Sequence, residues 1–295
     1  MTLQFQDNAF RKAVLELIRR TSTDLAPDVV RAIRAARENE VEGSAARGVL
    51  SAILRNIERA REKSTPICQD TGTNIYEVSL PSGVSMRRIE KLIREATREA
   101  TDKVYLRPNA VDPVTGKNSG DNTGELAPYI YFKEWDEPAI DVKLLLKGGG
   151  CENVSIQYTL PDITLKAGRD LEGVYNAVVD AVVKAQGQGC APGILGVGVG
   201  GDRSSGMMLA KKQLFRKLDD SHPDPKLAEL ESRLLRDLNT LGIGPMGFGG
   251  KTTALAVKIG VAHRLPASFF VSVAYMCWAD RKHSMRFSPD EVIYD

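Results

Sequence analysis

A mixed α+β fold is predicted for these 295 residues, with a helical N-terminal region packed on a largely antiparallel or mixed sheet. Three observations predict it. The first sixty residues alternate apolar and charged positions at helical spacing. Short apolar runs of strand length then alternate irregularly with amphipathic segments. Three glycine-rich clusters punctuate the second half of the chain. The length suits one domain over residues 1–295 with a sizeable core, and a division into two lobes stays open.

Ala13, Leu17, Val29 and Ile33 carry the helical spacing, and Pro27 suits a first helical turn, so helices are expected at 7–20 and 26–39. Ser44 is a candidate cap for a third at 44–62. A polar loop at 63–74 leads to a strand at 75–80. Ser85 opens an amphipathic helix with Ile89, Leu92, Ile93 and Ala96 on one face. Residues 106–125 hold many turn formers and little apolar material, and so long a loop is more often functional or mobile than idle. Strands are expected at 127–132, 140–147 and 154–158, then helices at 171–185, 204–217 and 226–240. Two last strands, at 253–261 and 268–275, run into Met276-Cys277-Trp278.

Forty basic and 38 acidic residues leave a net charge of +2, which argues against nucleic acid or a membrane surface as partner. The basic run from Lys211 to Lys217 reads as the solvated face of a helix. No apolar run approaches the ~18–20 residues of a spanning helix. The charged N-terminus lacks a signal-peptide core. A soluble, cytoplasmic protein is expected, whose four cysteines stay unpaired in a reducing compartment.

Gly196-x-Gly198-x-x-Gly201 and Gly242-x-Gly244-x-x-Gly247 match the dinucleotide fingerprint. That fingerprint needs a strand–turn–helix context. The first match lies partly inside the apolar run Ile194 to Val199, which reads as strand rather than turn, and the second precedes another strand-like run, so neither context is expected. Gly250-Lys251-Thr252-Thr253 resembles a phosphate loop, but its spacing is wrong and a strand, not a helix, should follow.

Cys68, Cys151, Cys190 and Cys277 include no C-x-x-C pair. They read either as inert small side chains or as ligands of a centre assembled by the finished fold. Their neighbours favour ligands. Cys68 stands in Pro66-Ile67-Cys68-Gln69-Asp70-Thr71-Gly72, a loop bounded by proline and glycine. Cys190 is flanked by glycines that would let the backbone approach a bulky inorganic group, and Cys277 precedes Asp280-Arg281. A cube held by three thiolates leaves one iron open to Lewis-acid chemistry.

The stretches PICQDTG, YLRPNAVDP, KGGGCEN, GCAPGILGVGVGGD, GPMGFGGKTTAL and CWADR occur in this order. Through them the chain resembles the α-type portion of class I iron–sulfur fumarate hydratases and tartrate dehydratases along nearly its whole length. The resemblance implies a [4Fe-4S] cluster held by Cys68, Cys190 and Cys277, its binding loops converging in one cleft. It also implies reversible hydration of a C4 dicarboxylate, above all fumarate to L-malate, with L-tartrate or mesaconate as alternatives. Cys151 stands where many relatives have serine and is left out as a ligand.

Within that resemblance Arg107 is the carboxylate clamp, Gln69 bonds the substrate, and Asp70 orients it or relays a proton. Gly150 offers its N–H to a substrate carboxylate. As bare sequence, Arg107 reads as a surface ion pair, Asp70 as a loop cap and Gly150 as a turn. His263 and Lys251 stay open between site and surface. Single-chain relatives continue into a second domain, so a separate β subunit completing the active site is expected, in an αβ or α2β2 assembly. Two readings from other classes are an NAD(P)-dependent oxidoreductase and a non-catalytic cluster-bearing subunit.

Overall fold

A computed structural model describes residues 3–295. Its elements in chain order are α1 (Asp7–Thr23), α2 (Pro27–Asn39), α3 (Ala45–Lys63), β1 (Thr73–Pro81), α4 (Met86–Asp102), β2 (Tyr129–Trp135), β3 (Ile140–Lys147) and α5 (Gly149–Asn153). There follow β4 (Ile156–Thr159), α6 (Leu171–Ala185), β5 (Gly193–Val199), α7 (Arg203–Gln213), α8 (Pro225–Leu238), β6 (Ala254–Val261), β7 (Phe270–Met276), β8 (Arg281–Phe287) and β9 (Val292–Tyr294). The fold is mixed α+β, as the sequence predicts. No helix among the described residues is long and apolar enough to cross a membrane.

The chain divides into two compact units. The first takes residues up to Ala26, Arg55–Gly148 and Arg281–Asp295. Its sheet runs β2-β1-β3-β8-β9, with β1 and β2 parallel and the other pairs antiparallel. Helices α1 and α4 pack together, and α1 also packs on β3 and β8. Helix α4 forms as its apolar spacing dictates: Ile89, Leu92, Ile93 and Ala96 are all buried, and the Ser85 hydroxyl accepts from the N–H of Arg88 at 3.3 Å. Each such isoleucine or leucine contributes about 1.5–3 kcal/mol by leaving water. Phe10, Leu17, Tyr76, Val142 and Phe287 complete this core.

The second unit takes Pro27–Leu54 and Gly149–Asp280. Its sheet runs β4-β7-β5-β6, with only β5 and β6 parallel. Every residue of β5 is buried. Helix α7 packs on β5 and β7, α8 on β6, and α6 on α8 and β7. Pro27 starts α2, and the Ser44 hydroxyl accepts from the N–H of Arg47, as expected.

Three elements escape the sequence reading: the five-residue α5, β8 and β9. In β8, Arg281, Lys282 and His283 look like surface charges but are buried. The basic run also differs from a simple solvated face. Helix α7 ends at Gln213, Leu214 is buried, and Arg216 pairs with Glu231 at 2.7 Å.

Candidate active site

In the first unit, the loop carrying Cys68 hangs from Ile67. The N–H of Ile67 donates to the Ser22 carbonyl at 3.0 Å, and its carbonyl accepts from Asn56 Nδ2 at 2.8 Å. Cys68 and Asp70, both half-buried, and exposed Gln69 therefore leave from a fixed point. Gly72 ends the loop at φ +83°, and a Cβ there would lie 2.8 Å from the Lys147 backbone, so only glycine fits.

Asp70 is held from two sides. Its Oδ1 accepts from the Gly72 N–H at 3.0 Å, the loop-capping bond expected of a bare aspartate. Its carbonyl accepts from Arg281 Nη1 at 2.6 Å. Arg281 is only 1% exposed, and its Nε has no hydrogen-bond partner among the described residues. A Cβ on Gly148 would fall 3.0 Å from Asp70 Oδ2 and 3.6 Å from Arg281 Nη2, so this glycine leaves the carboxylate and guanidinium room. The sequence placed Arg281 beside Cys277 but gave it no role. Its signal was the charged pair closing the CWADR stretch.

Thr71 joins the two polar loops. Its hydroxyl accepts from the Arg107 N–H and from Asn109 Nδ2, each at 3.0 Å. Buried Asn122 then donates to the Arg107 carbonyl at 2.9 Å and accepts from the Asn109 N–H at 2.8 Å. These bonds fix the backbone of Arg107 while its side chain stays exposed. The long loop at 106–125 is thus ordered by side-chain-to-backbone bonds together with a short backbone bridge. In that bridge the Ser119 N–H donates to the Ala110 carbonyl at 2.8 Å and the Asp112 N–H to the Lys117 carbonyl at 2.9 Å. With Gly72 to Asn74 it lines a cleft of about 850 Å3. Asp70 and Arg107 are thereby brought into one network of the first unit.

In the second unit, Cys277 lies two residues beyond Tyr275, just past β7, Cys190 lies between Gly189 and Gly193, which abut the Tyr275 ring, and Cys151 lies in α5. The Cys190 carbonyl accepts from the Trp278 N–H at 3.3 Å, which ties the two cysteine loops together. Cys190 itself sits at φ +56°. Cys190 and Cys277 are half-buried, whereas Cys151 is buried with its Sγ 3.9 Å from Met276 Sδ. Burial, and then the neighbouring sulfurs of Cys277, Cys151 and Cys190, push the Tyr275 hydroxyl well above its usual pKa.

The glycines flanking Cys190 make room for a neighbour within the chain. A Cβ on Gly189 would lie 2.4 Å from the Tyr275 ring, and one on Gly193 only 2.5 Å from its hydroxyl. They admit an aromatic ring. Gly150, second residue of α5, is exposed, and its N–H belongs to a first turn that has no acceptor within the helix. The side chains of Lys251 and His263 are exposed.

The glycine motifs resolve physically. Contrary to expectation, a strand–turn–helix does follow the first: β5, Gly200-Gly201, then α7. Yet Gly196 and Gly198 lie inside β5, where a Cβ would stand 2.1 Å from the Ala210 carbonyl and 2.3 Å from that of Gly206. They let α7 approach the sheet. The start of α7 is closed by Asp202, whose Oδ1 accepts from the Ser205 N–H at 2.6 Å. At Gly250-Lys251, buried Glu40 supplies the anion: its carboxylate accepts from the N–H groups of Lys251 and Thr252 at 2.9 Å. Strand β6 follows, as expected.

Thiolates are the usual protein ligands of iron–sulfur clusters. Cys190 and Cys277, on loops joined by the Trp278–Cys190 backbone bond and with the buried Tyr275 hydroxyl nearby, fit such a group. Among the described residues, no three His, Cys, Asp or Glu side chains meet around a single metal ion. A cube makes no such demand, because its thiolates bind different irons.

A family profile described as fumarate hydratase (Fumerase) matches residues 11–286. A protein of Geobacillus stearothermophilus named as a class I fumarate hydratase is 49% identical over 282 residues, covering 95% of this chain but 55% of that protein. A Methanocaldococcus jannaschii protein named as an L(+)-tartrate dehydratase alpha subunit is 37% identical, covering 94% of this chain and 97% of its own length. The Escherichia coli L(+)-tartrate dehydratase alpha subunit is 31% identical, covering 96% of this chain and 92% of its own. The chain belongs to the family of class I fumarate hydratases and L(+)-tartrate dehydratase alpha subunits.

Proposed function

We propose that this chain is the α subunit of a [4Fe-4S] hydro-lyase that reversibly hydrates fumarate to L-malate. The observation that carries the reading is the Thr71 hydroxyl, which binds the Asp70 loop to the Arg107 segment. Dehydrating malate requires a grip on its carboxylates, a proton acceptor and help for a poor leaving group. Arg107 supplies a planar fork for one carboxylate. Gln69 and the Gly150 N–H add donors to the substrate. Asp70, oriented by Gly72 and Arg281, relays the proton.

Cys68, Cys190 and Cys277 are the proposed cluster ligands, and buried Cys151 is not. When bound, the cluster supplies Lewis acidity toward the departing hydroxyl. The naming of relatives as alpha subunits supports a β subunit that completes the site in an αβ or α2β2 assembly. A cytoplasmic location would keep the cysteines reduced.

A second reading, the α subunit of an L(+)-tartrate dehydratase, is favoured by one observation. Two of the relatives reported above, 37% and 31% identical over nearly all of this chain, are named as alpha subunits of that enzyme. The deciding experiment is an anaerobic panel of fumarate, L-malate, L(+)-tartrate and mesaconate on the reconstituted chain with its cognate β subunit. Turnover of fumarate and malate supports the first reading, and turnover of tartrate alone supports the second. A loaded, assembled but inactive complex would leave only a scaffold role.

A further inference from the structure

Tyr275 carries chemistry that hydration does not use. Its ring is 1% exposed and wedged against Gly189 and Gly193, on either side of Cys190. Its backbone is fixed separately. The Tyr275 N–H donates to Ser155 Oγ at 3.1 Å, and Ser155 Oγ donates to the Cys151 carbonyl at 3.0 Å. Two alanine-sized residues have been forgone to fit this ring. Yet its hydroxyl has no hydrogen-bond partner among the described residues. A phenylalanine would fill the same space without burying an unsatisfied donor, which costs stability. Cys277 follows Tyr275 by two residues, and Cys190 lies between the two glycines that abut its ring and hydroxyl.

We infer that the Tyr275 hydroxyl donates a hydrogen bond to a sulfur of the cluster held by Cys190 and Cys277, and so raises its reduction potential. The inference rests on the cluster reading above. An O–H···S bond strengthens as the sulfur gains negative charge, so it favours the reduced form. Hydrogen bonds to the sulfurs and burial are the levers by which a protein sets such potentials.

The test uses the anaerobically reconstituted chain, with iron and sulfide counted first. A wild-type chain that takes up no cluster overturns the ligand assignment, and this inference with it. With clusters loaded, an EPR-monitored redox titration compares wild type with Tyr275→Phe. The Phe variant keeps the ring between Gly189 and Gly193, so its iron content should match wild type while its potential moves to a more negative value. Equal potentials in two fully loaded proteins overturn the inference and leave the ligand assignment standing. Should the Phe variant fail to load, 3-fluorotyrosine at position 275 keeps the shape and makes the hydroxyl a stronger donor. Its potential should rise above wild type, and an unchanged potential overturns the inference.

Discussion

Glu40 replaces, within the chain, the anion that a glycine-rich turn would otherwise take from solution. It is 4% exposed, and its Oε1 accepts from the N–H groups of both Lys251 and Thr252 at 2.9 Å, with Oε2 at 3.0 Å from the Lys251 N–H. A hydrogen bond to a charged group contributes about 1.5–3 kcal/mol. Glu40→Ala leaves two N–H groups, that of Thr252 buried and that of Lys251 part-buried, without their acceptor and should cost about 3–5 kcal/mol, a large part of a typical folding free energy. Glu40→Gln keeps one acceptor oxygen where both N–H groups converge and sets an amide where Oε2 stood. Its loss should be smaller, about 1–2 kcal/mol. Urea unfolding at neutral pH measures both, and the order should be wild type, Gln, then Ala. A Glu40→Ala variant within about 0.5 kcal/mol of wild type, the range of neutral surface changes, would show that the turn does not depend on this carboxylate.

Three further outcomes follow from the same contacts. Gly198→Ala drives a methyl group toward the Gly206 carbonyl, 2.3 Å away, and should cost about 1–3 kcal/mol in thermal unfolding; wild-type stability would refute close packing of α7 on β5. Arg281→Gln removes the bond to the Asp70 carbonyl, so stability should fall by about 1.5–3 kcal/mol. Amide exchange at Asp70 to Gly72 should quicken in that variant, and unchanged exchange would count against Arg281 as the anchor. Burial pushes the Asp220 carboxyl up, but bonds from Arg216 and Lys258 outweigh it and hold it below the usual range. A group with a lowered folded-state pKa stabilises fully above the unfolded carboxylate range and loses that contribution as pH falls through the folded value. Asp220→Asn should therefore flatten the acid limb of the stability–pH curve, and an unaltered limb would contradict the pairing.

Elements governed by local rules were legible in the sequence. Ser85 and the apolar face after it define α4, Pro27 starts α2, and the apolar run after Gly193 is β5. Helix α5 is too short to show a period. Strand β8 hides because its buried charges have tertiary partners: Arg281 bonds the carbonyl of Asp70, 211 positions away, and His283 meets Asp295, 12 positions on. The PICQDTG loop announced itself through polar residues bounded by proline and glycine. Its connection to Arg107 did not, since that depends on a Thr71 bond spanning 36 positions. The glycines around Cys190 signalled a close approach but not by what. Only the packing shows Tyr275 there.

The most direct measurement is the iron and sulfide content of four single variants after identical anaerobic reconstitution. Cys68→Ser, Cys190→Ser and Cys277→Ser should each fail to retain an intact four-iron cube, and Cys151→Ser should retain one as wild type does. A cube that survives loss of Cys190 but not loss of Cys151 would contradict the ligand set, and with it the chemistry built on that set.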